Sequence, residues 1–333
     1  MNIAQVILSL PFKTRNADEF VDENVLSLFV DPTDGVAGPF DYRNEIIKGK
    51  MGTGKTMYLR ANYIYHLSIL VPQMIEREPL ILPLYIKLSD FQNLHEPGKI
   101  YDQIIIRLIQ EILNTCEKLQ SANELVNLHN GFQNNVVGMW FNRVSQNAIV
   151  EKLNEITAEE YTRQVSTELS TQGTVGHNFL TACTQYEKTN FIELKKKEDP
   201  QIADFVFAYE TLLRQIDCKL LILLDEVGSI DKSFFEEHGG ASFFETLMNQ
   251  LRTLDFVRTK IAVYPHTFAD VLTETRYGDV ILLEDDIYSP DGYKAFLNKT
   301  ISIVEKYVGV VASDFESIES LFAYSHTLMS RIF

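Results

Sequence analysis

Residues 49–56 read Gly-Lys-Met-Gly-Thr-Gly-Lys-Thr, and no other stretch restricts the fold of this chain as tightly. The run fits G-x-x-x-x-G-K-[ST]. Gly49, Gly52 and Gly54 let backbone N–H groups turn inward and approach phosphate oxygens with no Cβ in the way. Lys55 supplies a point charge for β- and γ-phosphates, and Thr56 offers a hydroxyl to Mg²⁺. Lys50, Met51 and Thr53 complete the run as nucleotide-contacting positions. A helix beginning near Gly54 aims its positive end at the same anion. The flanks agree with such a loop. Glu45-Ile46-Ile47-Lys48 reads as a short strand before it. Met57 to Leu70 reads as a helix after it, with Met57, Ala61, Ile64 and Leu67 near helical spacing.

The second anchor is Lys219 to Glu226, KLLILLDE. An apolar run ending in two acids reads as a buried strand with carboxylates at its C-terminal edge, where ligands bind in doubly wound sheets. Asp225 is placed to hold Mg²⁺, directly or through water. Glu226 is placed to polarise an attacking water as general base. The next strand, Lys260 to Tyr264, is followed by Pro265-His266-Thr267. His266 is the candidate for contact with the γ-phosphate or the attacking water, with Thr267 second.

The remaining elements fall between these anchors. Asn16 to Phe29 reads as a helix. Leu80 to Leu88 reads as a strand, and Pro83 within it implies an edge strand or a strand that begins after the proline. Ile100 to Leu113 is a strongly apolar helix. From Asn114 to Asp199 the pattern is weak: an asparagine-rich stretch, an amphipathic helix over Ala148 to Arg163, a weak hairpin over Val165 to Val175, and the basic run Lys195 to Lys197. Asp199-Pro200 is a helix start, and Gln201 to Ile216 an amphipathic helix. Ser233 to Phe256 reads as helical with an interruption at Gly239-Gly240. A short helix spans Phe268 to Thr275, Asp279 to Leu283 is a fifth strand, and Asp291 to Tyr307 a helix. Ser313 to Glu316 is a capping-box pattern opening another.

Composition narrows the setting. The 333 residues are 45% hydrophobic and 23% charged, which fits a globular chain. A net charge of −16 argues against a broad basic nucleic-acid surface, though it leaves room for a local patch. The opening MNIAQVILSLPFKTR lacks the basic start and small-residue cleavage site of a signal peptide. No apolar run approaches the ~20 residues of a membrane span. Cys116, Cys183 and Cys218 show neither disulfide nor zinc spacing, and the seven histidines form no H-x-x-x-H pair. A reducing, cytoplasmic setting without protein-bound zinc is expected.

With both motifs placed, the order of elements resembles the AAA+ ATPases. It looks most like the initiator-type (origin-recognition-like) branch and its relatives among the STAND ATPases. Many of these are bacterial and tied to DNA metabolism or to defence, antiviral defence included. The residues that carry the resemblance are Gly49 to Thr56, Leu220 to Glu226, Ile261 to His266, Arg276 and, more loosely, Arg331. They cover roughly 44–87 and 219–333. The resemblance implies a P-loop NTPase fold: a five-stranded, mostly parallel sheet flanked by helices, with a C-terminal helical lid. It implies ATP rather than GTP, and the chain has no guanine-reading N-K-x-D motif. It makes Arg276 an arginine finger reaching a neighbouring subunit's γ-phosphate, hence a homo-oligomer, and Arg331 the sensor-two arginine of the lid. About 130 residues separate the second and third strands, more than a plain AAA+ core needs. Initiator-type relatives usually carry a winged helix after the lid; none is read here, and its loss would remove the expected duplex-DNA reader.

The expected organisation is an N-terminal helix and lead-in over 1–43 and the first part of an ATPase core over 44–113. A large, mostly helical insert over 114–200 follows, then the second part of the core over 201–288 and a helical lid over 289–333. The expected function is a Mg²⁺-dependent ATPase that couples nucleotide binding and hydrolysis to oligomerisation or control of a protein partner. Two alternatives stand beside it: a nucleotide-gated scaffold with little or no turnover that recruits an effector, and a DNA-loading ATPase.

Overall fold

The computed structural model describes residues 17–33, 38–130, 201–237, 240–264, 277–284 and 287–311. In chain order the regular elements are α1 (Asp22–Leu28), β1 (Glu45–Lys48), α2 (Lys55–Ser68), α3 (Leu70–Glu76), β2 (Ile81–Lys87), α4 (Pro97–Asn130), α5 (Ile202–Leu212), β3 (Lys219–Asp225), α6 (Phe243–Thr253), β4 (Val257–Val263), β5 (Asp279–Leu282) and α7 (Pro290–Val311). The strands form a five-stranded sheet in the order β2-β3-β4-β1-β5, with parallel pairing of β1 to β4, β1 to β5 and β2 to β3. A parallel sheet flanked by helices is the α/β architecture expected. The chain divides into two compact units, 1–65 with 260–333, and 66–259.

In the first unit β1 lies between β4 and β5. Glu45 pairs with Lys260 on one side and Asp279 on the other, and Lys48 with Val263 and Leu282. Ile46 and Ile47 are fully buried, as a strand covered on both faces requires. Gly278 enters β5 at φ +141°, and a Cβ there would collide with the Asn44 carbonyl. The helix expected over Asn16 to Phe29 is shorter: a 3₁₀ turn at Ala17–Glu19, then α1. Its buried Val25 and Leu28 face the core, and α7 packs beside it. Phe20 meets Tyr307 edge-on at 5.8 Å, and Lys306 Nζ donates to the Phe29 carbonyl.

In the second unit, among the described residues, β2 pairs with β3 alone and lies at the sheet's edge, so Pro83 forfeits no ladder bond that a central strand would need. Helix α4 covers this pair. Ile100, Ile104, Ile105, Leu108, Ile109 and Ile112 are all buried, a stripe at helical spacing. The helix expected to end at Leu113 runs on to Asn130. Asn114 and Thr115 do not break it, because both bond back to Glu111: Thr115 Oγ1 to its carbonyl at 2.7 Å and Asn114 Nδ2 to its carboxylate at 3.2 Å. Residues 114–130 therefore continue α4.

Other boundaries shift for local reasons. Helix α5 is capped at Gln201, not Asp199: the Gln201 N–H donates to Asp204 Oδ2 at 2.8 Å. The helix expected over Ser233 to Phe256 is instead a 3₁₀ turn at Lys232–Phe234 and, after Ser242, α6. Ser242 and Glu245 form a capping box there, each side chain bonding the other's backbone N–H. Strand β4 starts three residues before Lys260, on the β-branched Val257 and Thr259. Cys116 and Cys218 are buried and outside any disulfide among the described residues, and burial pushes the Cys218 thiol well up. The readings over 131–200, Phe268 to Thr275 and Ser313 to Glu316 lie outside the described residues.

Candidate functional site

The glycine loop belongs to the first unit. It leaves β1 at Gly49, whose N–H donates to the Val263 carbonyl at 3.3 Å. Gly52 and Gly54 sit at φ +83° and +93°, in the region that side chains with a Cβ avoid. A Cβ on Gly49 would run into Thr53 Oγ1. Thr53 Oγ1 in turn donates to the Lys50 carbonyl at 2.9 Å, closing the turn on itself. Lys55 opens α2, and Thr56 follows as its second residue.

Lys55 is 9% exposed. Its ammonium donates to the Gly49 carbonyl at 2.6 Å and the Lys50 carbonyl at 2.7 Å. The Tyr264 ring lies 4.2 Å from Nζ, within range of a cation–π contact. The charge expected to face phosphate is thus held at the mouth of its own loop. Glu284, just after β5, clasps the loop from the other side. One carboxylate oxygen accepts the Lys50 N–H at 2.6 Å, and the other lies 3.0 Å from Lys50 Nζ. Met51 is 87% exposed at the loop's tip.

Beneath the loop the first unit carries a buried polar cluster that sequence reading missed. Glu45 Oε2 meets Lys260 Nζ at 3.0 Å and the Tyr58 hydroxyl at 2.8 Å, while Oε1 accepts from Arg43 Nε at 2.8 Å. Lys260 Nζ also donates to the Pro39 carbonyl at 2.7 Å. Glu45 and Lys260 are fully buried. Burial, then Glu45, raises the Tyr58 hydroxyl far above its ordinary range, so it stays a donor. Burial lowers the Lys260 ammonium, against the pull of Glu45. The hydrogen bond that Arg43 donates to Glu45 raises the Arg43 guanidinium. The cluster joins β1, β4, α2 and the lead-in at Pro39. Nothing in the local pattern singled out Glu45 and Lys260 among the polar residues of these two strands.

The acid pair belongs to the second unit. Asp225 ends β3 and is 1% exposed. Its Oδ1 accepts the Glu226 N–H at 2.8 Å, and its Oδ2 accepts the Tyr85 hydroxyl at 2.6 Å. Glu226 lies at φ 54°, ψ 37°, a left-handed conformation, before the 3₁₀ turn Val227–Ser229. Its carbonyl accepts from the Ser229 N–H at 2.9 Å. This turn takes the chain out of the sheet as soon as the strand ends.

The expected residues thus stand in two groups: Gly49 to Thr56 in the first unit, Asp225 and Glu226 in the second. His266, Arg276 and Arg331 lie outside the described residues. The residue found against Lys55 is Tyr264, two positions before the expected His266. An aromatic at a strand end was its only sequence signal. Asp225 offers hard oxygen donors suited to Mg²⁺. Among the described residues no group of three or more His, Cys, Asp or Glu side chains is placed to hold a metal by itself. No described helix is long and apolar enough to cross a membrane.

Fold and loop together define an α/β chain of parallel-sheet type, with a glycine loop leaving β1 and an acid pair ending β3. The ORC-CDC6-like family matches residues 10–89, a stretch that contains β1, the loop, α2 and β2. This match supports an ORC/CDC6-type AAA+ relationship and, with it, nucleotide binding. No curated protein and no solved structure gives a significant match.

Proposed function

We propose that this chain is a Mg²⁺-dependent ATPase of the AAA+ initiator type, coupling its nucleotide state to self-assembly or to a protein partner. The observation that carries the reading is the loop itself: two left-handed glycines and a buried lysine at the start of α2. Loop N–H groups from Gly49 through Thr56 receive the phosphates, and Lys55 exchanges its loop carbonyls for β- and γ-oxygens. Thr56 and Asp225 would hold Mg²⁺. The ion would neutralise charge on the phosphates, which is most of what phosphoryl transfer requires. Glu226 takes the proton of the attacking water. His266 orients that water or the γ-phosphate. Arg276 acts from a neighbouring subunit, and Arg331 reads the nucleotide from the lid. DNA is not the partner favoured at net charge −16.

The test is Lys55→Ala in the full chain, with ATP affinity and turnover measured together. Affinity is expected to fall at least about tenfold, or 1.4 kcal/mol. Unchanged affinity in a folded variant overturns the assignment. Mixing inactive Glu226→Gln with inactive Arg276→Ala tests assembly, since one mixed interface then holds both an intact base and an intact finger. No rescue, with turnover independent of protein concentration, would remove the shared site and leave nucleotide binding standing.

A further inference from the structure

Tyr85 has no place in the reading above, yet it makes one of the shortest side-chain hydrogen bonds in the second unit. Its hydroxyl lies 2.6 Å from Asp225 Oδ2, a length typical of an O–H donating to an ionised carboxylate. The strand register explains the reach. Tyr85 pairs with Leu223, two residues before Asp225 on the neighbouring parallel strand. Side chains alternate along a strand, so Tyr85, Leu223 and Asp225 share one face. The phenol ring lies along that face, toward the carboxyl end of β3, and ends on the acid.

The bond fixes an orientation. A carboxylate turns freely about its last torsion unless something holds it. Each oxygen of Asp225 has a donor: the Glu226 N–H on Oδ1 and the Tyr85 hydroxyl on Oδ2. At 1% exposure, little bulk water is available to take the place of either donor.

We propose that Tyr85 is a positioning residue for Asp225, holding its carboxylate in the orientation from which it meets a divalent cation. This rests on the reading of Asp225 as the Mg²⁺-facing acid. Tyr85 touches neither nucleotide nor metal and acts through the aspartate alone. Outer hydrogen bonds of this kind are commonly worth 10–100-fold in metal affinity or activity.

The experiment compares wild type, Tyr85→Phe and Asp225→Asn as full chains. Binding of a fluorescent ATP analogue is titrated with Mg²⁺ and repeated in EDTA. Mn²⁺ binding in the presence of a non-hydrolysable ATP analogue is followed by electron paramagnetic resonance. Thermal unfolding without ligand is recorded alongside. Tyr85→Phe is expected to keep its EDTA affinity and to need about tenfold more Mg²⁺ or Mn²⁺ for half-saturation. Asp225→Asn is expected to need more still. If Asp225→Asn shifts the metal requirement and Tyr85→Phe does not, the positioning role is overturned and the Asp225 assignment stands. A lower melting temperature for Tyr85→Phe at unchanged metal requirement overturns it too, leaving a structural tie. If Asp225→Asn leaves the metal requirement unchanged, the Asp225 assignment fails, and the role of Tyr85 fails with it.

Discussion

Glu226 allows fold and chemistry to be separated by two substitutions at one position. Its φ of 54° places a side chain with a Cβ in the left-handed region. That conformation costs roughly 1–2 kcal/mol for an L-residue other than glycine. Glycine removes the cost but loses about 0.5–1 kcal/mol through the greater freedom of the unfolded chain. The balance favours Glu226→Gly over wild type by about 0–1.5 kcal/mol. Glu226→Gln keeps the Cβ and hence the strain, so its stability should match wild type. Both variants lose the proton acceptor, and turnover should fall by about 10²-fold or more in each. Urea unfolding followed by circular dichroism measures the first quantity, and phosphate release the second. The expected pattern is a higher midpoint for Glu226→Gly alone, with turnover lost in both. A Glu226→Gly variant less stable than wild type would refute the strain argument. Near-wild-type turnover in Glu226→Gln would refute the role as base.

Three further outcomes are expected. Lys260→Met, which leaves the buried Glu45 carboxylate to Arg43 and Tyr58, should cost less in chemical denaturation than the about 3–5 kcal/mol of a fully unpaired buried charge, and Glu45→Leu combined with Lys260→Met should cost less than the sum of the two. Tyr264→Ala should weaken ATP binding about two- to fivefold, matching a cation–π contribution of about 0.5–1 kcal/mol to the placement of Lys55; calorimetric titration reads it. The Asp231 carboxyl is held down to about 2, first by the Ser233 backbone N–H and next by His95. Its stabilising effect should be complete above pH about 4 and vanish as pH falls through about 2, which a carboxyl NMR titration would follow.

What the sequence made legible was what backbone geometry forces into the choice of residue. The loop could be read because Gly52 and Gly54 occupy conformations that few other residues accept. The edge position of β2 could be read from Pro83, since proline lacks the N–H a central strand would use. Helix α4 was cut short at Leu113 because asparagine and threonine weigh against a helix on average. Here both spend their polar groups on Glu111, one turn back. The contacts that surround the candidate site were not legible. Glu45 meets Lys260, and Tyr85 meets Asp225, only through strand registers between segments more than a hundred residues apart. The Tyr264 ring meets the Lys55 ammonium across the loop, again between segments about two hundred residues apart. No periodicity in sequence encodes such a meeting.

The positive-φ positions carry an argument of their own. Among the described residues, Gly52, Gly54, Gly240 and Gly278 meet the steric demand with glycine. Arg77 and Asp217 adopt the same region where a helix or 3₁₀ turn closes, a common place for a left-handed residue. Glu226 fits neither group. It follows a buried strand directly and precedes a turn rather than ending one. The fold alone would be served better by glycine there, as it is in the loop after β1. In that loop the chain uses glycine at both positive-φ positions, Gly52 and Gly54. After β3 the chain keeps a carboxylate and accepts the strain. Strain retained beside a buried, doubly hydrogen-bonded aspartate is the kind that persists where a side chain has work that glycine cannot do. The general-base role proposed for Glu226 supplies such work, and Tyr85 and the Glu226 N–H hold its neighbour still while that work is done.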